Sequence, residues 1–267
     1  MHKLNNRMHR RLLVVDGRVG FAGGVGIADV WTGDAQDPEH WRETHLRVEG
    51  PAVRDVLAGF AENWAEATGR IVSGDHLPEL EPFPDGVDLQ VVRSSPSTAG
   101  TPTAPLFYAA LAGARKRVWL TTAYFAASGG FVEVLTDAAR RGVDVRVLTN
   151  GPNVDKEVVR RTGARSYGPL LEAGARVFEY GPTMLHAKVL VVDGWANVGS
   201  ANFDHRSFGL DSELSVCSSG PQVVETLADQ FQEDLAVSEE LTHERWRSRP
   251  RRTRAVEAAG ELVRQSF

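Results

Sequence analysis

A nine-residue segment occurs twice in this chain of 267 residues. Residues 9–17 read HRRLLVVDG, and residues 186–194 read HAKVLVVDG. Each copy has a histidine, a cation two residues later, a run of branched apolar residues that favours a β-strand, and then Asp-Gly. A single copy would carry little weight. Two matching copies predict a duplicated fold in which each repeat supplies half of one site.

The similarity continues beyond the two segments. Three features recur in the same order: a glycine-rich turn, a short strand, and a Gly-Pro-x-Val segment that opens an amphipathic helix. They occupy residues 22–24, 44–48 and 50–53 in the first half, and residues 199–202, 213–216 and 220–223 in the second. Upstream of residue 186, helical and strand patterns alternate, which predicts an α/β fold with mixed sheets flanked by helices.

The two halves differ in what precedes each segment. Eight residues precede His9, whereas residues 106–185 form the alternating pattern upstream of the second copy. We therefore expect the first repeat to be incomplete, with exposed strand edges and apolar faces. The predicted organisation is an incomplete first repeat at residues 1–70, a proline-rich linker at 71–105 with a strand at 89–93, a complete second repeat at 106–241, and a basic tail at 242–267.

Two histidines and two cations suit phosphodiester cleavage through a covalent intermediate. A neutral imidazole can attack phosphorus, and a protonated one can protonate the leaving oxygen. The cations stabilise charge on the phosphoryl oxygens. Each aspartate is included with its segment, although strand alternation turns Asp193 away from His186 and suggests that it braces a loop. The predicted catalytic set is His9, Arg11, Asp16, His186, Lys188 and Asp193.

Four further polar residues complete the candidate site. Ser200 and Asn202 follow the second segment at the end of a strand and can donate hydrogen bonds to a phosphate. Glu43 and Glu213 precede the matching later strands. Either glutamate can bond a histidine and fix its tautomer, and we group all four as candidate substrate-binding residues.

Composition excludes several classes of protein. A net charge of −5 argues against a general nucleic-acid binder. The single cysteine, Cys217, rules out an intrachain disulfide and a cysteine-rich metal site. Six of the ten residues at 245–254 are arginine. This segment is either a solvated tail or a contact for anionic headgroups, with Trp246 at the membrane interface.

The paired segments resemble the HxKxxxxD signatures of the phospholipase D superfamily. Residues 106–235 look like a complete domain of that family, with TAYF at 122–125, LHAK at 185–188 and GSANFDHRS at 199–207. In the first half, VGFAGG at 19–24, WRETH at 41–45 and GPAV at 50–53 are similar to the bacterial cardiolipin synthase branch.

The resemblance implies a role for each residue of the second half-site and for the first histidine. His9 would be the nucleophile that forms a phosphohistidine, and His186 the acid and later the base. Lys188, Ser200 and Asn202 match the positions that hold the phosphate. We expect neither a metal nor a cofactor, because the protein's own cations stabilise the charge.

The sequence departs from the family pattern at two positions of the first half-site. Arg11 stands where the family has lysine, which keeps the charge but changes its geometry and donors. Gly26 stands where an asparagine usually follows the Gly-Gly pair, so one donor is lost.

The function implied is that of a phosphatidyltransferase or phospholipase D-type enzyme. It would act on an anionic, phosphatidylglycerol-like phospholipid and pass the phosphatidyl group to an alcohol or to water. We expect it in the cytoplasm, peripheral at the inner face of the cell membrane, without nucleic acid. Two alternatives remain open: a nuclease-like phosphodiesterase that uses the same residues, and a non-catalytic, truncated remnant.

Overall fold

A computed structural model describes residues 6–96, 100–155, 157, 160 and 163–250. Within these residues the chain forms one large mixed sheet, a three-stranded antiparallel sheet and a two-stranded pair, with helices packed against them. This confirms the predicted α/β class and the mixed sheets flanked by helices.

The first repeat forms the three-stranded sheet. Its elements are β1 (Arg7–Met8), β2 (Leu12–Val15), β3 (Val19–Gly23), β4 (His45–Glu49) and α1 (Val53–Thr68). The order β2-β3-β4 is antiparallel throughout. The helix α1 packs on this sheet through one apolar face, as its periodicity predicts.

The second repeat forms most of the large sheet. Its strands are β5 (Leu89–Ser94), β6 (Arg117–Thr121), β7 (Phe125–Ala126), β8 (Asp144–Asn150), β9 (Arg176–Tyr180), β10 (Val189–Val192), β11 (Trp195–Gly199), β12 (Phe203–Asp204), β13 (Asp211–Ser218) and β14 (Ser238–Leu241). Its helices are α2 (Thr103–Gly113), α3 (Gly129–Arg140), α4 (Tyr167–Glu172), α5 (His205–Gly209), α6 (Pro221–Ala236) and α7 (His243–Arg247).

The large sheet joins the two repeats. Its order is β1-β13-β11-β10-β6-β8-β9-β14, with β5 also paired to β13. The pairs β1–β13, β6–β8 and β8–β9 are parallel, and the others are antiparallel. The strand β1 belongs to the first repeat and ends directly before His9. Its pairing with β13 therefore places His9 at the edge of the second repeat's sheet.

The strand predicted at 89–93 is present as β5, which pairs with β13 over six residues. The helix α2 begins at Thr103, inside the residues assigned to the linker. The indole of Trp246 packs against Gly168, and its Nε1 donates to the Ala164 carbonyl at 3.1 Å. Trp246 is therefore half-buried beside α4, and its contact with a membrane stays a prediction. Residues 251–254 of the arginine cluster lie outside the described residues.

The duplicated strands have unequal surroundings. In the second repeat β10 lies between β11 and β6, and Leu190 is 1% exposed. In the first repeat β2 pairs with β3 alone among the described strands, and the matching Leu13 is 57% exposed. Val192 and Val15 show the same contrast, at 5% and 43%. An exposed apolar strand was expected for the first repeat.

None of the described helices has both the length and the apolar character needed to cross a bilayer.

This contrast gives a stability test with a built-in control. Leu190→Ala removes buried methyl groups and should lower the free energy of unfolding by about 2 to 5 kcal/mol. The matching Leu13→Ala should change it by less than about 0.5 kcal/mol, since that side chain is mostly exposed. Urea denaturation followed by circular dichroism measures both. Equal losses from the two variants would contradict the described burial.

Candidate active site

The pairing of β1 with β13 places His9 beside a glutamate of the other repeat. Arg7 and Met8 are in register with Asp211 and Ser212, and the His9 amide donates to the Ser212 carbonyl at 3.0 Å. The His9 ring therefore lies next to Glu213. His9 Nδ1 is 2.9 Å from Glu213 Oε1 and 3.1 Å from Oε2.

The second histidine is placed by an equivalent exchange. Arg42 and Leu185 form a parallel bridge, and the His186 amide donates to the Arg42 carbonyl at 2.8 Å. This brings Glu43, from the first repeat, to the histidine of the second repeat. Glu43 Oε2 lies 2.5 Å from His186 Nδ1. Each repeat thus supplies the carboxylate that holds the other repeat's histidine.

These contacts fix which ring nitrogen is available. A carboxylate beside Nδ1 accepts its N–H, which leaves the Nε2 lone pair of a neutral imidazole free. Glu43 and Glu213 therefore bond the histidines, as expected from sequence, and both side chains are almost fully buried. Their grouping as substrate-binding residues stays a prediction.

The cation of the second segment lies beside His186, and Ser200, which follows that segment, bonds the carboxylate that holds His9. Lys188 Nζ is 2.7 Å from His186 Nδ1 and 3.7 Å from Glu43 Oε2. Burial lowers the pKa of Lys188 to about 8. Ser200 Oγ donates to Glu213, and among the described residues the buried Asn202 Oδ1 has no hydrogen-bond partner.

The cation of the first segment lies on an aromatic surface. The Arg11 guanidinium carbon is 5.5 Å from the Trp31 ring centroid. The Trp31 and Trp41 rings lie 5.7 Å and 5.3 Å from the His186 ring, and 5.0 Å from each other. The two indoles therefore form one wall of the site between Arg11 and His186.

The two histidines have opposite pKa shifts. Burial alone would lower the pKa of His9, but the charge and hydrogen bond of Glu213 raise it above its ordinary value. Burial and then the charge of Lys188 lower the pKa of His186 to about 4, and Glu43 opposes them only in part. At neutral pH the free protein thus has an unprotonated His186 and a more readily protonated His9.

The aspartates of the duplicated segment lie away from these groups. The Asp193 carboxylate accepts the backbone N–H groups of Arg115, Lys116 and Arg117 at 2.8 to 3.0 Å, at the start of β6. The four-residue strand β10 separates Asp193 from Lys188, and a strand of that length spans about 13 Å. Asp16 occupies the matching exposed turn with a φ of 52°. Both aspartates are turn residues and Asp193 caps a strand, which favours a structural role for them over the predicted catalytic one.

One residue that supports the site, Arg10, was not found from sequence. Arg10 is buried, and its guanidinium donates to the carbonyls of Gly59, Ser94 and Glu213 at 2.7 to 3.2 Å. These bonds hold the backbone next to His9. The duplication gave no signal for Arg10, since its counterpart in the second segment is alanine.

One group of side chains has metal-binding spacing. His9, Asp211 and Glu213 present ligand atoms within 4.8 Å of one another. Arg206 Nη2 already bonds Asp211 at 2.8 Å, and Glu213 holds His9. Their proximity is therefore explained by the hydrogen bonds of the protein itself.

The exchange of carboxylates makes a crossed prediction. Glu213→Gln should lower the pKa of His9, because burial is then unopposed by the carboxylate. Glu43→Gln should lower the pKa of His186 for the same reason. NMR titration of the histidine Hε1 signals measures both. Each variant should mainly shift the histidine of the other repeat, and a larger shift of the histidine in its own repeat would refute the pairing.

Comparison with known proteins places this geometry in a family. Residues 107–235 match the family model described as the PLD-like domain of cardiolipin synthase. The chain is 37% identical over 267 residues to a cardiolipin synthase from Halalkalibacterium halodurans, covering 98% of this chain and 52% of that protein. It is 34% identical over 264 residues to one from a Geobacillus species, covering 97% and 52%. The chain thus spans about half the length of these relatives.

Solved structures share the fold. A phosphatidylserine synthase from Haemophilus influenzae superposes with a TM-score of 0.69 at 12% identity, covering 99% of this chain and 72% of that one. The phospholipase D family member Nuc from Salmonella typhimurium superposes with a TM-score of 0.50 at 20% identity, covering 59% and 99%. The family model and the cardiolipin synthase relatives, together with the paired histidine segments, place the chain in the phospholipase D superfamily, in the cardiolipin synthase branch.

Proposed function

We propose that this chain carries the active site of a phospholipase D-type phosphatidyltransferase, similar to cardiolipin synthase. Its substrate would be an anionic phospholipid such as phosphatidylglycerol. The relatives named cardiolipin synthase support the substrate class. One observation carries the chemistry: two histidines from different repeats, each held at Nδ1 by a carboxylate, lie among two cations.

The reaction would be a double displacement on phosphorus. His9 Nε2 attacks, a P–N bond forms, and the bond from phosphorus to the headgroup oxygen breaks as His186 gives that oxygen a proton. His186 then takes a proton from the acceptor hydroxyl, whose oxygen attacks phosphorus and releases His9. A second phospholipid alcohol gives a transferase product, and water gives hydrolysis. Arg11 and Lys188 balance the charge on the phosphoryl oxygens throughout.

The protonation states of the free protein require one adjustment. With its pKa lowered to about 4, His186 holds no proton for a leaving group at neutral pH. A bound phosphodiester brings negative charge and attracts the Lys188 ammonium away from His186. Both changes raise the pKa of His186, so binding of the anion prepares the acid. His9 must lose its proton before it attacks, and the pKa of this ring, which Glu213 raises, makes that loss less favourable.

The lipid substrate sets the location. A phospholipid enters this site from a bilayer, and we propose peripheral contact at the cytoplasmic face of the cell membrane. The site offers fixed cations for the phosphate and the indole wall of Trp31 and Trp41 for apolar parts of the substrate.

Activity separates this proposal from its alternatives. Purified chain is incubated with vesicles of labelled phosphatidylglycerol, and lipid products are resolved by chromatography. We expect cardiolipin or phosphatidate from the wild type, and losses of about 10³-fold or more in His9→Ala and His186→Ala. The exposed His76→Ala serves as the matched control and should retain activity. Cleavage of DNA without lipid turnover would select the nuclease. Folded protein inactive on both would contradict the proposal.

Binding of an anion should change the titration of His186. In free protein this residue should titrate near its lowered pKa of about 4. Saturating inorganic phosphate should raise that pKa, because it adds negative charge and attracts Lys188. NMR titration with and without phosphate tests the sign. If bound phosphate left the pKa of His186 unchanged or lowered it, His186 could not gain its proton through anion binding, and the proposed role as acid would be contradicted.

A further inference from the structure

The two half-sites offer different numbers of donors. The second carries Lys188, Ser200 and Asn202. At the positions of the serine and the asparagine the first has Gly24 and Gly26. Glycine has no side-chain donor. Of the three matched positions in the first half-site, Arg11 alone therefore offers a side-chain donor.

The space that an asparagine would occupy is filled by an indole. A Cβ built on Gly26 would lie 2.8 Å from Trp31 Cζ3, 2.9 Å from its Cη2 and 3.0 Å from Arg11 Nη1. The backbone there has no left-handed φ that would favour glycine. Packing therefore explains the glycine: it lets the Trp31 ring lie against the cation.

The Arg11 guanidinium has a buried donor that is available to an anion. Arg11 Nε is buried and has no hydrogen-bond partner among the described residues. A buried donor without a partner is unfavourable, which favours a ligand that accepts from it. A planar guanidinium presents several N–H groups in a fork that matches two oxygens of a phosphate, whereas an ammonium acts as a point charge.

We infer that Arg11 replaces both the lysine and the asparagine of the first half-site, and that Trp31 is the positioning residue that makes this replacement work. The inference rests on the proposed function. The guanidinium binds the phosphate of the substrate through two N–H groups, and the indole face sets its plane. The Trp31 ring also lies 5.7 Å from the His186 ring, so it fixes the cation relative to the acid. Glycine at 26 is the condition for this arrangement.

A double-mutant cycle measures the coupling between these two residues. Binding of inorganic phosphate to the full chain is followed by isothermal titration calorimetry, so no turnover is needed. With Arg11 present, Trp31→Leu should weaken binding about tenfold, because the aromatic face is lost. Trp31→Phe should retain most of the affinity, since it keeps a ring face. In the Arg11→Lys background, Trp31→Leu should have little further effect.

A second comparison probes the filled space. Gly26→Asn alone should weaken phosphate binding, because the new side chain collides with the indole and displaces the guanidinium. In the combined Arg11→Lys, Trp31→Leu protein the same Gly26→Asn change should strengthen binding, since space and a lysine are then available for the amide donor. Circular dichroism checks that each variant is folded. If Trp31 only supported folding, Gly26→Asn would have the same effect on phosphate affinity in both backgrounds, and this result would contradict the inference.

The outcomes separate this inference from the proposed function. Additive effects of Trp31→Leu and Arg11→Lys, or phosphate affinity unchanged in folded Trp31→Leu, would overturn it even if the enzyme turns over lipid. Coupling between the two residues in a protein without lipid turnover would support it while the proposed function fails. Phosphate that does not bind the wild type at millimolar concentration would also overturn it.

Discussion

Two hydrogen bonds that cross between the repeats hold this site together: Glu213 to His9 and Glu43 to His186. Neither repeat has a complete site alone. The carboxylates are buried, and an unpaired buried charge costs several kcal/mol, so each bond also ties the two repeats to each other. Lys188 is also buried, and the negative charges of Glu43 and Glu213 stabilise its ammonium. The buried charges of the site therefore compensate one another.

The network explains why two similar histidines differ. Both are buried, which disfavours the protonated ring. At His9 the effect of Glu213 outweighs that of Lys188, whereas the Lys188 ammonium lies 2.7 Å from His186 Nδ1. In the proposed mechanism, a phosphate oxyanion bound between the two histidines would compensate the charge of Lys188 and so raise the pKa of His186.

The duplicated segment predicted the histidines, the cations and the strands that follow them, because a strand pattern and a repeated motif are local features. The crossed pairing was not predictable. It depends on the two-residue strand Arg7–Met8 and the bridge at Arg42, which have no periodicity to read. Repetition marked the aspartates as well, because residues shared by two repeats can serve folding as well as chemistry. Asp193 caps a strand.

A crystal structure with orthovanadate would test whether the two repeats share one phosphate site. Vanadate adopts the five-coordinate geometry expected for attack on phosphorus. We expect a single oxyanion with Nε2 of His9 and of His186 on opposite sides, and with Arg11 and Lys188 on its equatorial oxygens. A vanadate that contacts one histidine alone, or two vanadates bound separately, would contradict it.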